Sequence, residues 1–271
     1  MALIVQKYGG SSLADAEMIK NVARRVAASK DAGNNVVAVV SAMGDTTDRL
    51  LDLASQVSNR PEPRELDVLL STGELESCAL LAMALNSSGH QAVSLSGGQA
   101  GIQTDTSHGM ARIAGLEPDR ITREMSAGNI VVVAGFQGIT DGLDITTLGR
   151  GASDITAIAL AAGLGASRCE VYTDVDGIYT ADPRVVPEAR KLDEIGYDEM
   201  LELANYGAKM HPRSIELGMV YQVPIYVASA FNDTPGTLIH RDAGGPPSTD
   251  DKNDSDASTS EDRRKALLET L

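Results

Sequence analysis

Strand-length, mainly apolar runs recur at Leu3–Val5, Val36–Val40, Ala92–Leu95, Ile130–Ala134, Glu170–Tyr172 and Ile225–Val227. Several are continuous rather than alternating, which is the pattern of strands covered on both faces. Between them the spacing predicts helices over Asp15–Ser29, Thr47–Val57, Leu75–Asn86, Asp154–Leu164 and Tyr197–Tyr206. Ser, Thr or Asp stands near several of their starts, and Gly33, Gly89 and Gly165 stand near ends. The alternation predicts an α/β fold with an open, mainly parallel sheet sandwiched between helices. Ligands of such sheets lie beyond the carboxyl ends of the strands, so the loops leaving the strands are where chemistry is sought.

The pattern stops after His240. The stretch RDAGGPPSTDDKNDSDASTSEDRR is polar, acidic and too poor in apolar residues to bury a core. This divides the chain into a folded unit, 1–240, and an acidic, disordered tail, 241–271, in which Arg263–Leu271 reads as a short helix. A chain of 271 residues with 42% hydrophobic composition can build one sizeable core or two modest ones. A net charge of −15 and a pI of about 4.6 argue against nucleic-acid or anionic-membrane partners, which need a basic face. No apolar stretch approaches the roughly 18 residues of a membrane span, and the first residues lack a basic leader. Cys78 and Cys169 are far apart, without metal-binding spacing, and read as small buried residues of a reducing, cytoplasmic protein.

Five loops carry candidate chemistry. Lys7-Tyr8-Gly9-Gly10-Ser11-Ser12 leaves a strand and enters a helix. Its glycines let the backbone approach an anion, the helix start offers free N–H groups and Lys7 adds a charge, although Gly-Gly-Ser also makes ordinary turns. Walker A spacing is absent. In Ser41-Ala42-Met43-Gly44-Asp45-Thr46-Thr47-Asp48, Thr46 or Thr47 stands where a helix cap belongs. Ser71-Thr72-Gly73-Glu74 reads as the opening of the helix at Leu75, where Glu74 either complements the helix dipole or holds a substrate ammonium. Thr146-Thr147-Leu148-Gly149-Arg150-Gly151-Ala152-Ser153-Asp154 sets Arg150 between two glycines, a context that suits bidentate carboxylate recognition better than packing. Tyr172 to Arg184 is a strand followed by a long acidic loop with Asp-Gly and Asp-Pro turns; it lacks EF-hand spacing, so calcium is not expected. His90, His108, His211 and His240 read as surface, loop or packing residues.

In this order, KYGGSS, SAMGDTTD, STGE, TTLGRGASD, YTDVDGIYTADPR and GAKMHPRS resemble the aspartate kinases of the amino-acid-kinase superfamily, over about Met1 to His240. The resemblance implies transfer of the γ-phosphoryl group of MgATP to L-aspartate, giving 4-phospho-L-aspartate for lysine, threonine and methionine synthesis. It implies that Lys7 and the Gly9–Gly10 backbone neutralise charge on the transferring group and that Asp154 organises the transfer centre. Ser41, Thr47, Glu74, Arg150 and Ser153 would hold aspartate, Glu74 on its ammonium and Arg150 on a carboxylate. Thr173, Asp174, Tyr179, Arg184 and Lys209 would hold the nucleotide, with Mg²⁺ carried by phosphates and water rather than by a protein cage. A homodimer is implied as well. The chemistry agrees with the scarcity of histidine: a carboxylate of pKa about 3.9 is already ionised and needs no general base.

Three departures accompany the match. Ala152 replaces the second glycine of the usual GRGGSD, adding a methyl group where glycine allows close approach or positive φ. The segment around Lys209 is one residue shorter than the usual GAKVLHPRS. Residues 241–271 are too few for the regulatory ACT domains of most members, so feedback control would need a separate subunit. Two other readings share these residues: a kinase for a modified aspartate, and a non-catalytic subunit or amino-acid sensor. Lys7, Arg150, Asp154 and Lys209 favour catalysis, whereas Ala152 and the shortened segment favour the silent subunit.

Overall fold

The structure, a computed structural model, describes residues 1–205, 207 and 210–241. Its strands are β1 (Leu3–Tyr8), β2 (Asn35–Val40), β3 (Ala92–Leu95), β4 (Ile102–Thr104), β5 (Ile113–Leu116), β6 (Ile130–Ala134), β7 (Gln137–Ile139), β8 (Ile145–Thr147), β9 (Arg168–Thr173), β10 (Glu194–Gly196), β11 (Ile225–Ser229) and β12 (Thr237–His240). Its α-helices are α1 (Ala16–Asp31), α2 (Thr46–Val57), α3 (Pro63–Ser87), α4 (Asp119–Ser126), α5 (Ser153–Leu164), α6 (Tyr197–Asn205) and α7 (Pro212–Tyr221). One sheet runs β10-β12-β11-β9-β1-β2-β6-β3, parallel except where β11 meets β12.

The central strands account for this arrangement. β2 and β6 are buried almost throughout, so each face of the sheet needs a helical cover. Val37, Val39, Val131 and Val133 enter a core shared with α5, α6 and α7. Val36, Ala38, Val40, Ile130, Val132 and Ala134 face the other way, against α1 and α3. Their branched side chains pack well on a pleated surface. Helix α5 is buried on nearly every side, and its alanines let it lie close to the sheet. Gly165 ends it at φ +65°, the left-handed conformation usual for a glycine after a helix.

Alternation along β1 divides its polar residues between the layers. Val5 and Lys7 share the α5 side, while Gln6 and Tyr8 face the α1 side. There Tyr8 stacks on Tyr172 of β9 at 5.1 Å between ring centroids. The buried Glu170 carboxylate accepts hydrogen bonds from Gln6 Nε2 at 2.7 Å, Tyr172 Oη at 3.0 Å and Arg168 Nε at 2.7 Å. An ionisable group under the sheet is thereby satisfied, as burial demands.

The fold class is the expected one, with additions: β10 and β12 extend the large sheet beyond the six expected strands. A second sheet, β5-β4-β7-β8, packs beside α3. Its three- and four-residue strands are too short to leave a periodic signal. Helices α4 and α7 also lie outside the expected set. The expected helix at Leu75 starts at Pro63 instead: Ser71 and Thr72, which look like loop residues, donate back to Val68 O and Leu69 O at 2.8 and 2.7 Å. Helix α3 is consequently long and apolar enough to cross a membrane by length and composition, contrary to expectation. It is instead seated against α1, α2, β3, β6 and β8, with Asp67 and Glu74 buried. The expected tail lies outside the described residues apart from Arg241.

The seating of α3 predicts opposite outcomes two residues apart. Leu81→Ala, in the core, should cost about 2–5 kcal/mol, whereas Met83→Ala, on the exposed face, should stay within about 0.5 kcal/mol. Urea unfolding of the two variants checks this, and equal losses would reverse the orientation given to the helix.

Candidate active site

Strands β1, β2, β6 and β9 run parallel and release their loops along one rim of the sheet. At its centre Lys7 Nζ lies 2.7 Å from Asp154 Oδ1, with both side chains largely buried. Lys7 is delivered by the pleat of β1 and Asp154 by the first turn of α5, where a helix favours negative charge. The Cα of Gly9 faces the Lys7 ammonium, since a methyl group there would lie 3.6 Å from it, in ordinary contact. A methyl group on Gly10 would fall 2.7 Å from Ala42 O, and Gly44 N–H donates to Gly10 O at 3.0 Å. The loops after β1 and β2 are therefore locked together through backbone that admits no side chain.

Glu74 enters from the middle of α3, not from a helix start. Gly73 makes this possible, since any side chain there would strike Ala42 and Thr46. Glu74 is 3% exposed; Oε1 accepts from Ala42 N–H at 3.1 Å, while Oε2 has no hydrogen-bond partner among the described residues. Burial pushes its carboxyl up to about 7. A carboxyl group so placed is unsatisfied until a donor arrives.

Ser153 Oγ lies where a methyl group on Gly135 would come within 2.9 Å. The next residue, Phe136, holds φ +67°, and its N–H donates to Thr156 Oγ1 of α5 at 3.1 Å. This strained turn at the end of β6 was not legible in the sequence. Ser41 follows β2, its N–H donating to Tyr8 O at 3.1 Å. Thr47 is half-buried in the first turn of α2, but Asp45, rather than Thr46 or Thr47, occupies the cap position.

Arg150 is exposed between Gly149 at φ +90° and Gly151 at φ +78°, and its Nη2 pairs with Asp48 Oδ1 of α2 at 2.8 Å. His211, at the cap of α7, has Cδ2 within 3.5 Å of where a Gly151 methyl group would sit. Ala152 adopts φ −76° and is buried, so its methyl group imposes no backbone strain.

Thr173 ends β9 and Asp174 follows it, with Thr173 Oγ1 donating to Asp174 Oδ1 at 3.1 Å. The chain then folds back on itself: Thr180 N–H donates to Arg190 O at 2.9 Å and Leu192 N–H to Ile178 O at 2.8 Å. Tyr179 bridges to Lys191 in this excursion. Arg184 pairs with Asp182 of its own turn at 2.8 Å, and Asp182, then Asp174, raise its pKa. Lys209 lies outside the described residues, whereas of its shortened segment Met210 is buried and His211 to Ser214 cap and open α7. Among the described residues no group of three or more His, Cys, Asp or Glu side chains is placed to hold a metal ion. Both cysteines are buried, and burial raises both thiols, that of Cys78 to about 12. One cluster beside the site escaped the sequence reading: Asp67, His108, Gly109 and Thr147. A lone Asp in a long apolar helix was its one available signal.

Residues 2–229 match the amino acid kinase family. An aspartokinase from Mycolicibacterium smegmatis is 58% identical over 241 residues, covering 88% of this chain and 57% of that protein. This chain thus spans somewhat over half the length of that relative. The aspartate kinase from Synechocystis superposes with a TM-score of 0.80 at 49% identity, over 89% of this chain and 40% of that one. E. coli aspartokinase III in complex with aspartate and ADP superposes with a TM-score of 0.81 at 29% identity, over 90% and 66%.

The buried Glu74 makes stability depend on pH. Its folded pKa of about 7 exceeds the ordinary 4.5, so the folded state holds a proton that the unfolded state has lost. The favourable contribution is complete below pH about 4.5 and disappears as pH rises through 7, a swing of about 3 kcal/mol at most. Glu74→Gln should therefore gain stability relative to the parent between pH 5 and pH 8. Denaturant unfolding at the two pH values measures this, and an unchanged difference would mean that Glu74 titrates normally.

Proposed function

The chain belongs to the amino acid kinase family, and from that premise we propose that it transfers the γ-phosphoryl group of ATP to the side-chain carboxylate of L-aspartate, giving 4-phospho-L-aspartate and ADP. The observation that carries this reading is the Lys7–Asp154 pair at the strand ends, flanked by Gly9 and Gly10 and by side chains suited to both charges of an amino acid. The relative captured with aspartate and ADP supports the same pair of ligands.

Glu74 takes the substrate ammonium. Its second oxygen lacks a donor, and an arriving cation favours the ionised carboxylate, so binding releases a proton when Glu74 starts protonated. Arg150 takes a carboxylate in exchange for Asp48. Ser41, Thr47 and Ser153 complete the acceptor side, and Thr173, Asp174, Tyr179 and Arg184 serve the nucleotide. With the acceptor carboxylate already ionised, an oxygen of that group forms the new bond to the γ-phosphorus as the bond to the bridging β-oxygen breaks. Neither step requires a protein base. The protein's contribution is alignment and charge: Lys7 balances the oxygens of the moving group, and Asp154 fixes the ammonium in place. Beside Lys7, Asp154 offers a single carboxylate, which fits a Mg²⁺ ion that arrives on phosphate oxygens better than one caged by protein. When bound, that ion would neutralise charge on the phosphates.

Trapping the acyl phosphate with hydroxylamine tests the proposal directly. ATP-dependent hydroxamate should form with aspartate and fall at least about a hundredfold in Lys7→Ala, while aspartate binding measured by calorimetry persists. Unchanged turnover in that variant removes Lys7 from its role, and no hydroxamate from folded parent protein removes the activity.

A further inference from the structure

Asp67 is 1% exposed and lies seven residues before Glu74 on α3, hence on the same face and about 10 Å away along the axis. Nothing in the proposed reaction uses it, yet its carboxylate is fully engaged. Thr147 Oγ1 donates to Oδ1 at 2.5 Å, Gly109 N–H lies 3.1 and 3.0 Å from the two oxygens, and His108 Nδ1 lies 2.8 Å from Oδ2. Three groups, from the 108–109 loop and from the end of β8 that opens the Gly149–Gly151 loop, thus converge on one buried acceptor.

Those loops support Arg150. Thr147 is the last residue of β8, three before Arg150, and its carbonyl accepts from Ala111 N–H at 2.9 Å. Gly109 O is the nearest foreign atom to the position of a Gly149 methyl group, at 3.8 Å. Arg150 itself is flanked by two glycines in left-handed conformations and, among the described residues, is held at its tip by Asp48. Leu148 N–H donates to Phe136 O at 2.9 Å and Ala152 N–H to Gly149 O at 3.2 Å. The loop is entered from Thr147, the anchor that converges on Asp67 together with His108 and Gly109.

We propose that Asp67, with His108, is a positioning residue for acceptor recognition: it fixes the Gly149–Gly151 loop and so sets affinity for the substrate carboxylate, without touching substrate or nucleotide. This rests on the reading that Arg150 receives that carboxylate. The role requires an acceptor-only group, because in Asn one oxygen becomes an NH₂ that faces a donor. His108 needs only its Nδ1 donor, which the amide of Asn can reproduce.

The test measures kcat and KM for aspartate and for ATP, with thermal unfolding, in Asp67→Asn, His108→Ala and His108→Asn, and repeats Asp67→Asn in an Arg150→Ala background. Asp67→Asn should raise KM for aspartate about tenfold while KM for ATP stays within twofold. His108→Ala should act in the same direction and His108→Asn should restore the parent value. Without Arg150, Asp67→Asn should lower kcat/KM for aspartate no further. The proposal is overturned if KM for both substrates changes alike, if the Asp67 and Arg150 effects multiply, or if His108→Asn behaves as His108→Ala. Should Asp67→Asn not fold, the two His108 variants decide alone. Loss of aspartate affinity in Arg150→Ala tests the underlying reading separately, since that result does not depend on Asp67.

Discussion

Burial of the central strands on both faces is the constraint from which the rest of the structure follows. β2 and β6 present almost nothing but branched aliphatic and alanine side chains, so neither tolerates water on either side and helices must cover both. A sheet closed in this way has polar space only at the ends of its strands. Parallel order brings those ends to one rim, so residues as distant in sequence as Lys7 and Asp154 become neighbours. Two exceptions inside the sheet, Gln6 and Glu170, hydrogen-bond each other.

The layered fold was legible because its central strands and most of α5 are apolar, a pattern that survives without knowledge of tertiary contacts. The second sheet was not, since strands such as Gln137–Ile139 and Ile145–Thr147 are shorter than any period they could display. The start of α3 was missed for a different reason. Ser71, Thr72 and Gly73 carry loop composition, but the two hydroxyls return their hydrogen bonds to the helix and the glycine lets α3 approach Ala42 and Thr46. At the site, the charged residues within glycine-rich loops could be named from sequence. Their partners could not: Asp48 opposite Arg150 and Asp67 beneath its loop are ordinary acids until the fold brings them there.

The Lys7–Asp154 contact should not be counted as a source of stability, because desolvation of a largely buried pair offsets much of its Coulombic attraction. Its value is spatial. An ammonium attached to a central strand and a carboxylate attached to the first turn of a helix buried on nearly every side are held by packing. The field they create is in place before any ligand arrives. In a chain of net charge −15, such a fixed local cation is also what an anionic ligand requires.

The contact between Arg150 and Asp48 gives the site its own decoy. The carboxylate paired with the guanidinium has the same chemistry as the side chain of the proposed ligand. Because the pair is exposed, it is worth no more than about 1 kcal/mol, and an incoming carboxylate exchanges with it at small cost. Arg150 is thus never left uncompensated, and the exchange frees α2 from the glycine-flanked loop. Under the proposed reading the exchange thus acts on the same helix that carries Thr47.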